Sequence, residues 1–378
     1  MDVSAYWRRQ KEQYQHGSKL VKNFAVFDYG FIPDQPVVRD ECKPILNALA
    51  RFELSAIPNN LAVIGSRGSG KTLMLKHLQQ VLPRQTDLTF AHVNCRHQNT
   101  SFKILADLVD GEIAGASLVD LYERFMLKYS GKTVVVLDEI DLMSAKDKHR
   151  EILYFLSRCG KPYMAVLLSN SAHLLKQLDA ATMSSLQPEV IHFCNYNADQ
   201  IRQILEDRAK RGLHRFDPGI LAEIAALTTR KTNADARVAI KTLFYSVCEP
   251  NREVAACFEQ ARRDIVVDMV NDLSDPNLMI LWAAAICKVD LPKEIYQRYS
   301  RISQAAGDKP FSYTHFYANL SYLQSNGLIA LMSTKVDRAY TNRVILTFDP
   351  SIVETIWQIR SGEGVGGVEF ARGHDASA

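Results

Sequence analysis

Short, unbroken apolar runs alternate with stretches in which apolar residues recur at helical spacing. The runs fall at 61–64 (LAVI), 88–93 (LTFAHV), 133–137 (TVVVL), 164–168 (MAVLL) and 190–193 (VIHF). A strand that is apolar at every position is covered on both faces, and such strands separated by helical stretches predict a parallel sheet between helical layers. Residues 42–52 and 72–81 read as two of those helices, so 24–196 is expected to be an α/β domain. After Tyr196 the pattern changes: 199–211, 218–228, 234–248 and 254–270 read as helices with no strand between them. This predicts a helical domain over 197–274, ended by Asp275-Pro276. Residues 275–360 read as three helices followed by two apolar strands, 328–332 and 343–348. Residues 1–23, with Arg8, Arg9, Lys11, Lys19 and Lys22, read as a basic flexible arm, and 361–378 as a glycine-rich disordered tail.

Composition adds limits. A chain of 378 residues, 47% hydrophobic and 23% charged, is globular and large enough for two or three domains. Its formal net charge of +3 means that any nucleic-acid surface must be a local patch. The seven cysteines are scattered singly without a C-x-x-C pair, which argues against a zinc ribbon and for a reducing compartment. No apolar run approaches the roughly 20 residues that span a bilayer, and the first residues carry no signal-peptide core. The expectation is a cytoplasmic protein, at the nucleoid, with no membrane partner.

The first strand runs into Gly65-Ser66-Arg67-Gly68-Ser69-Gly70-Lys71-Thr72, a G-x-x-x-x-G-K-[ST] phosphate loop opening a helix. Its glycines let backbone amides converge on phosphate, Lys71 reaches the β- and γ-phosphates, and the Thr72 hydroxyl binds Mg²⁺. ATP or ADP with magnesium is therefore the expected cofactor. The third strand ends in Asp138-Glu139-Ile140-Asp141. Asp138 is expected to hold the metal and Glu139 to act as base toward the attacking water, while Asp141 reads as a helix cap. Asn170, at the tip of the fourth strand, is placed to hydrogen-bond the γ-phosphate or the lytic water. Arg237, at the head of a helix in the second domain, is placed to report whether the γ-phosphate is present.

Three helices and a β-hairpin are the order of a winged helix-turn-helix. The third helix, 313–324, offers Tyr313, Thr314, His315, Tyr317 and Asn319 to base edges and phosphates, and the hairpin tip is expected to carry Lys335, Arg338 and Arg343 to the DNA backbone. Acidic residues, among them Asp290, Glu294 and Asp337, nearly balance the domain's lysines and arginines.

Together these residues resemble the AAA+ origin-recognition initiators of archaea and eukaryotes, the family of the cell-division-control helicase loader. The resemblance covers about residues 25–355 and includes Asp28-Tyr29, Val38-Arg39-Asp40, the 152–158 stretch ILYFLSR and Ser184-Ser185-Leu186. It implies an ATPase core, a helical lid and a winged-helix domain acting in replication initiation, and a DNA contact from the insertion after the second strand. That insertion, about 99–117 here, is short and weakly basic. Where the family carries an arginine finger this chain reads Leu178-Asp179-Ala180-Ala181-Thr182, and Ala234 stands where the lid motif carries glycine. Tight nucleotide binding with slow hydrolysis is the expectation.

Two functions fit. One is an initiator or helicase loader whose nucleotide state sets its placement on double-stranded DNA, with a homo-oligomer or replicative helicase as partner. The other is a nucleotide-gated adaptor whose winged helix docks a nuclease, transposase or other effector. A DNA-independent remodeller is disfavoured, because nothing resembles an aromatic pore loop.

Overall fold

The five apolar runs pair as one parallel sheet in the order β2-β3-β4-β1-β5. The strands are β1 (Leu61–Ile64), β2 (Thr89–Asn94), β3 (Thr133–Asp138), β4 (Tyr163–Ser169) and β5 (Glu189–His192). The computed structural model describes residues 4, 7, 11, 19–110, 114–144, 147, 150–171, 174–336 and 339–361. Most of the expected basic arm, all of 362–378, and Arg338 lie outside the described residues.

Strand periodicity decides the layering. Alternate side chains of β3 and β4 point to opposite faces, so Val135, Leu137, Ala165 and Leu167 enter one core and Val134, Val136, Met164 and Val166 the other. The second core is closed by α1 (Cys42–Ser55) and α2 (Lys71–Val81) through Ile45, Leu49, Phe52 and Leu75. The first is closed by α3 (Ser101–Leu108), α4 (Leu118–Lys128) and α5 (Glu151–Arg158) through Leu105, Phe125 and Leu153. These three helices are short, and the apolar run inside α5 has no period that separates helix from strand by inspection. A further helix, α6 (Ala180–Leu186), precedes β5.

The helical region follows with α7 (Ala198–Gly212), α8 (Pro218–Lys231), α9 (Ala236–Cys248) and α10 (Val254–Asn271). Caps set their starts: Asn197 and Gln200 form a capping box, and Asp217 precedes Pro218. The helix expected from 234 begins at Ala236. Asn233 (φ 51°) and Ala234 (φ 57°) are left-handed, and Asp235 caps the helix through the Arg237 amide. The chain forms two compact units, Met1–Phe258 and Glu259–Ala378, divided within α10.

The end of the expected arm is held in place. Val21 bridges to Leu213, the Lys22 amide donates to the Gly212 carbonyl at 2.8 Å, and the His214 amide to that of Leu20 at 2.9 Å. Beyond it Val26 is fully buried, and the Arg208 guanidinium donates to the carbonyls of Val26, Asp28 (2.9 Å) and Phe31 (3.4 Å). Burial pulls Arg208 down to about 10.

In the second unit α11 (Asp275–Ile286), α12 (Pro292–Ala305) and α13 (Tyr313–Ser325) precede a hairpin of β6 (Ile329–Val336) and β7 (Ala339–Leu346), then α14 (Ser351–Ser361). The strands are longer than expected, because Ser333 and Thr334 pair with Asn342 and Thr341 although none is apolar. Helix α14 was not legible as a separate element. Arg360 ties it to the start of α11, donating to the Leu273 carbonyl at 2.8 Å and to Asp275 at 3.0 Å. This is the winged-helix order.

Replacing Arg208 with Ala leaves buried carbonyls unmatched. The expected outcome is a loss of about 2 kcal/mol in denaturant unfolding, with faster hydrogen exchange confined to residues 20–31.

Candidate functional site

The carboxyl ends of the strands in a parallel sheet share one edge, so the residues that follow them converge there. After β1 the Gly65 amide donates to the Ser169 carbonyl of β4 at 3.1 Å, and Gly65 lies so close to Phe193 that a Cβ would fall 2.3 Å from its carbonyl oxygen. Gly68 (φ +74°) and Gly70 (φ +91°) take left-handed conformations. Gly70 caps α2, which starts at Lys71.

Lys71 is only 6% exposed. Its ammonium donates to the carbonyls of Gly65 (2.8 Å) and Ser66 (2.9 Å) and to Asn170 Oδ1 (3.0 Å). Burial pulls it down to about 8, against the pull of Asp138, Asp141 and Glu139, and nearby Arg67 lowers it further. The phosphate loop and the fourth strand's polar tip are thus joined through one cation. Thr72 is half-buried on the first turn of α2. Ser66 Oγ bonds to Asn195, and Ser69 Oγ donates to the Ser66 carbonyl at 2.8 Å.

Asp138 is 3% exposed, with His92 Nε2 at 3.7 Å from its Oδ2. Glu139 (φ 53°) is in a left-handed conformation unusual for a non-glycine residue. Its carboxylate is engaged by Arg96, Nε to Oε2 at 2.9 Å and Nη2 to Oε1 at 3.5 Å. Asp141 does not cap an α-helix. It lies in a single 3₁₀ turn and accepts from Ser169 Oγ (2.8 Å) and the Asn170 amide (3.2 Å), so it braces the loop that presents Asn170.

Arg237 pairs with Asp235, whose carboxylate lies against Gly68. Burial disfavours the Arg237 charge, but the Asp235 carboxylate, with Tyr29 and Glu139 adding to it, outweighs burial and raises its pKa. Arg39, 4% exposed, donates to the Ser69 carbonyl at 2.8 Å, to Glu41 at 2.8 Å and to the Cys194 carbonyl at 2.6 Å. Its guanidinium lies 4.6 Å from the ring centres of both Phe193 and Tyr196.

Sequence reading missed the roles of Arg96, His92 and Asp235. The one available signal for Arg96 was its place just past the carboxyl end of β2, beside β3. The residues present fit a magnesium–nucleotide complex: a desolvated ammonium beside glycines at positive φ, with Thr72 and buried Asp138 as hard oxygen ligands for the metal.

In the second unit Ser312 caps α13. Tyr313 is 45% exposed, Thr314 and His315 are exposed, and His315 stacks on Phe311 at 4.1 Å. The Tyr317 hydroxyl accepts from Asn342 Nδ2 at 2.6 Å, joining α13 to β7. Lys335 pairs with Tyr340 near the end of β6. Arg343 does not sit at the tip. It pairs with Met332 well down the hairpin, where Asp290 takes its Nε at 2.8 and 3.0 Å. The two eight-residue strands run to Val336 and from Ala339, which leaves Arg343 inside β7.

Lys71 gives the site a pH dependence of definite sign. Bound phosphates favour the charged ammonium, so affinity is flat while Lys71 already carries its proton. Above about pH 8, binding must take up a proton and affinity falls. Titration calorimetry with Mg-ATP should show a loss of roughly tenfold or more between about pH 7.5 and pH 9.5. Lys71→Arg should remove that pH step, and Lys71→Ala should abolish binding.

Comparison with known proteins agrees with this geometry. Residues 58–178 match the family model described as an AAA domain. The ORC1-type DNA replication protein of Methanothermobacter thermautotrophicus is 26% identical over 76% of this chain and 81% of its own length. That of Thermococcus onnurineus is 24% identical over 92% and 93%. Among solved structures, the Aeropyrum pernix ORC1 protein in complex with DNA superposes with a TM-score of 0.68 at 25% identity, covering 91% of this chain and 98% of that one. Cdc6p from Pyrobaculum aerophilum shares the fold, with a TM-score of 0.55 at 18% identity over 90% and 99% of the two chains. No helix among the described residues is long and apolar enough to cross a membrane. The phosphate loop, the sheet that carries it and these relatives lead to one conclusion: the chain has the AAA+ P-loop fold with a C-terminal winged helix and is similar to the ORC1-type DNA replication proteins.

Proposed function

We propose that this protein is an ATP-dependent replication initiator whose nucleotide state sets its conformation on duplex DNA. The observation that carries the proposal is the convergence on one phosphate loop of groups from three parts of the first unit. Asn170 of the sheet bonds to Lys71, Asp235 beside Arg237 abuts Gly68, and Arg39 grips the Ser69 carbonyl. A change at the γ-phosphate position would act on sheet and helical region at once. The DNA-bound Aeropyrum relative supports DNA as the ligand. A second copy or a replicative helicase fits the same reading as partner.

Bound Mg-ATP supplies the phosphoanhydride bond to be broken and a metal that neutralises its charge. Lys71 would balance the β- and γ-phosphate oxygens, and Thr72 and Asp138 would hold the metal. Asn170, braced by Asp141, orients the attacking water. Glu139 takes the water's proton once its carboxylate is released from Arg96. Arg237 contacts the γ-phosphate.

Two features support slow turnover. Glu139 is occupied by Arg96, and the segment expected to carry an arginine finger instead places Asp179 as the cap of α6, accepting from the Ala181 and Thr182 amides at 3.0 and 2.9 Å. In related enzymes such a finger contributes a factor of about 10³ or more. The protein alone is expected to hydrolyse well below ~10 ATP per second, and Arg96→Ala to raise that rate in a phosphate-release assay. An unchanged or lower rate in the variant would remove Arg96 as the brake.

The adaptor reading keeps one specific support: α13 carries no charged side chain, and Arg343 is engaged by Asp290. Footprinting on the protein's own replicon, with ATP and with ADP, separates the two. A protected repeat near a replication start whose extent depends on the nucleotide is the expected result. Sequence-blind binding indifferent to nucleotide would favour the adaptor.

A further inference from the structure

Asp235 has three engagements at one carboxylate. Its Oδ1 accepts from the Arg237 amide at 2.9 Å, capping α9. Both oxygens bind the Arg237 guanidinium along its Nε–Nη2 edge, with Nε at 3.0 and 3.2 Å and Nη2 at 2.6 Å. The carboxylate is also seated on the phosphate loop: a Cβ on Gly68 would fall 2.0 Å from Oδ1 and 2.6 Å from Cγ. Capping requires only the first of these.

The backbone is bent to achieve the arrangement. Asn233 and Ala234, consecutive non-glycine residues, both adopt left-handed conformations just before Asp235, and Ala234 is 3% exposed. Such conformations cost free energy and persist where the surroundings enforce them. The guanidinium is a rigid fork, so a carboxylate gripping the Nε–Nη2 edge fixes the direction in which the Nη1 corner points. Arg237 and Asp235 keep only 25% and 13% side-chain exposure, so solvent screens their pairing little.

We propose that Asp235 is the positioning residue of the γ-phosphate sensor, aligning Arg237 with the phosphate loop so that the site tells ATP from ADP. The proposal rests on Arg237 being that sensor. Its competitor is a plain helix cap. Asn caps a helix as well as Asp does, but it carries no charge with which to grip a guanidinium.

The test measures Mg-ATP and Mg-ADP affinities of the full chain by titration calorimetry, with Tm, for Asp235→Asn, Arg237→Ala and the double variant. Arg237→Ala should erase most of the ATP preference. Asp235→Asn should lower the ATP-to-ADP ratio roughly fivefold to tenfold, the scale of one charge-assisted pair, with Tm unchanged. The double variant should match Arg237→Ala, because Asp235 acts through it. The ratio is internal to each variant, so a reduced folded fraction cancels. If Asn fails to fold, Asp235→Ser keeps the cap and removes the carboxylate. A ratio unmoved by Asp235→Asn or Asp235→Ser while Arg237→Ala shifts it would leave Asp235 a cap and overturn the inference alone. A ratio unmoved by Arg237→Ala would overturn the sensor reading beneath it.

Discussion

One buried ammonium organises the first unit. Lys71 has almost no water to solvate it, so carbonyls of its own loop and the Asn170 amide oxygen do so instead. Burying an unmatched charge is costly. The surrounding carboxylates and carbonyls therefore have to stand where they do, which fixes the ends of β1, β3 and β4 relative to one another. The parallel sheet makes this possible, since it delivers all three strand ends to the same edge.

Two further arginines extend the same principle outward. Arg39 satisfies carbonyls of the phosphate loop and of the segment after β5, while the rings of Phe193 and Tyr196 lie within cation–π distance. Arg208 gathers three carbonyls of the segment before α1, a 3₁₀ turn over Phe24–Phe27 and the residues after it, onto α7. In both cases a planar, multiply donating cation takes up backbone acceptors that no ladder reaches. The N-terminal segment, the sheet and the helical region are thereby joined by arginine–carbonyl contacts as well as by apolar packing.

The second unit is built on different chemistry. Its third helix is uncharged, and Phe316 of that helix packs against Tyr296 and Tyr299, with Phe311 against Tyr299. The Tyr317–Asn342 hydrogen bond sets the helix against the hairpin. With Arg343 drawn to Asp290, the described residues of the third helix offer tyrosines and a histidine and no lysine or arginine. Such a face favours groups recognised by hydrogen bonding and stacking over phosphates recognised by charge alone.

By itself the sequence determined the elements whose signal is local. Five runs apolar at every position predict buried parallel strands, G-x-x-x-x-G-K-[ST] predicts the anion loop, and four periodic stretches predict the helical region. The order of three helices and a hairpin was legible for the same reason. Tertiary structure alone decided the pairings between residues far apart in the chain: Arg96 with Glu139, Asp141 with Asn170, Asp235 against Gly68, Asp290 with Arg343. Charged and polar side chains carry no period that names a partner, and each of these contacts forms only after strand order and helix placement bring distant segments together. The eight-residue helix α3 was hidden likewise, because so few turns give no pattern above chance and packing supplies most of what stabilises it.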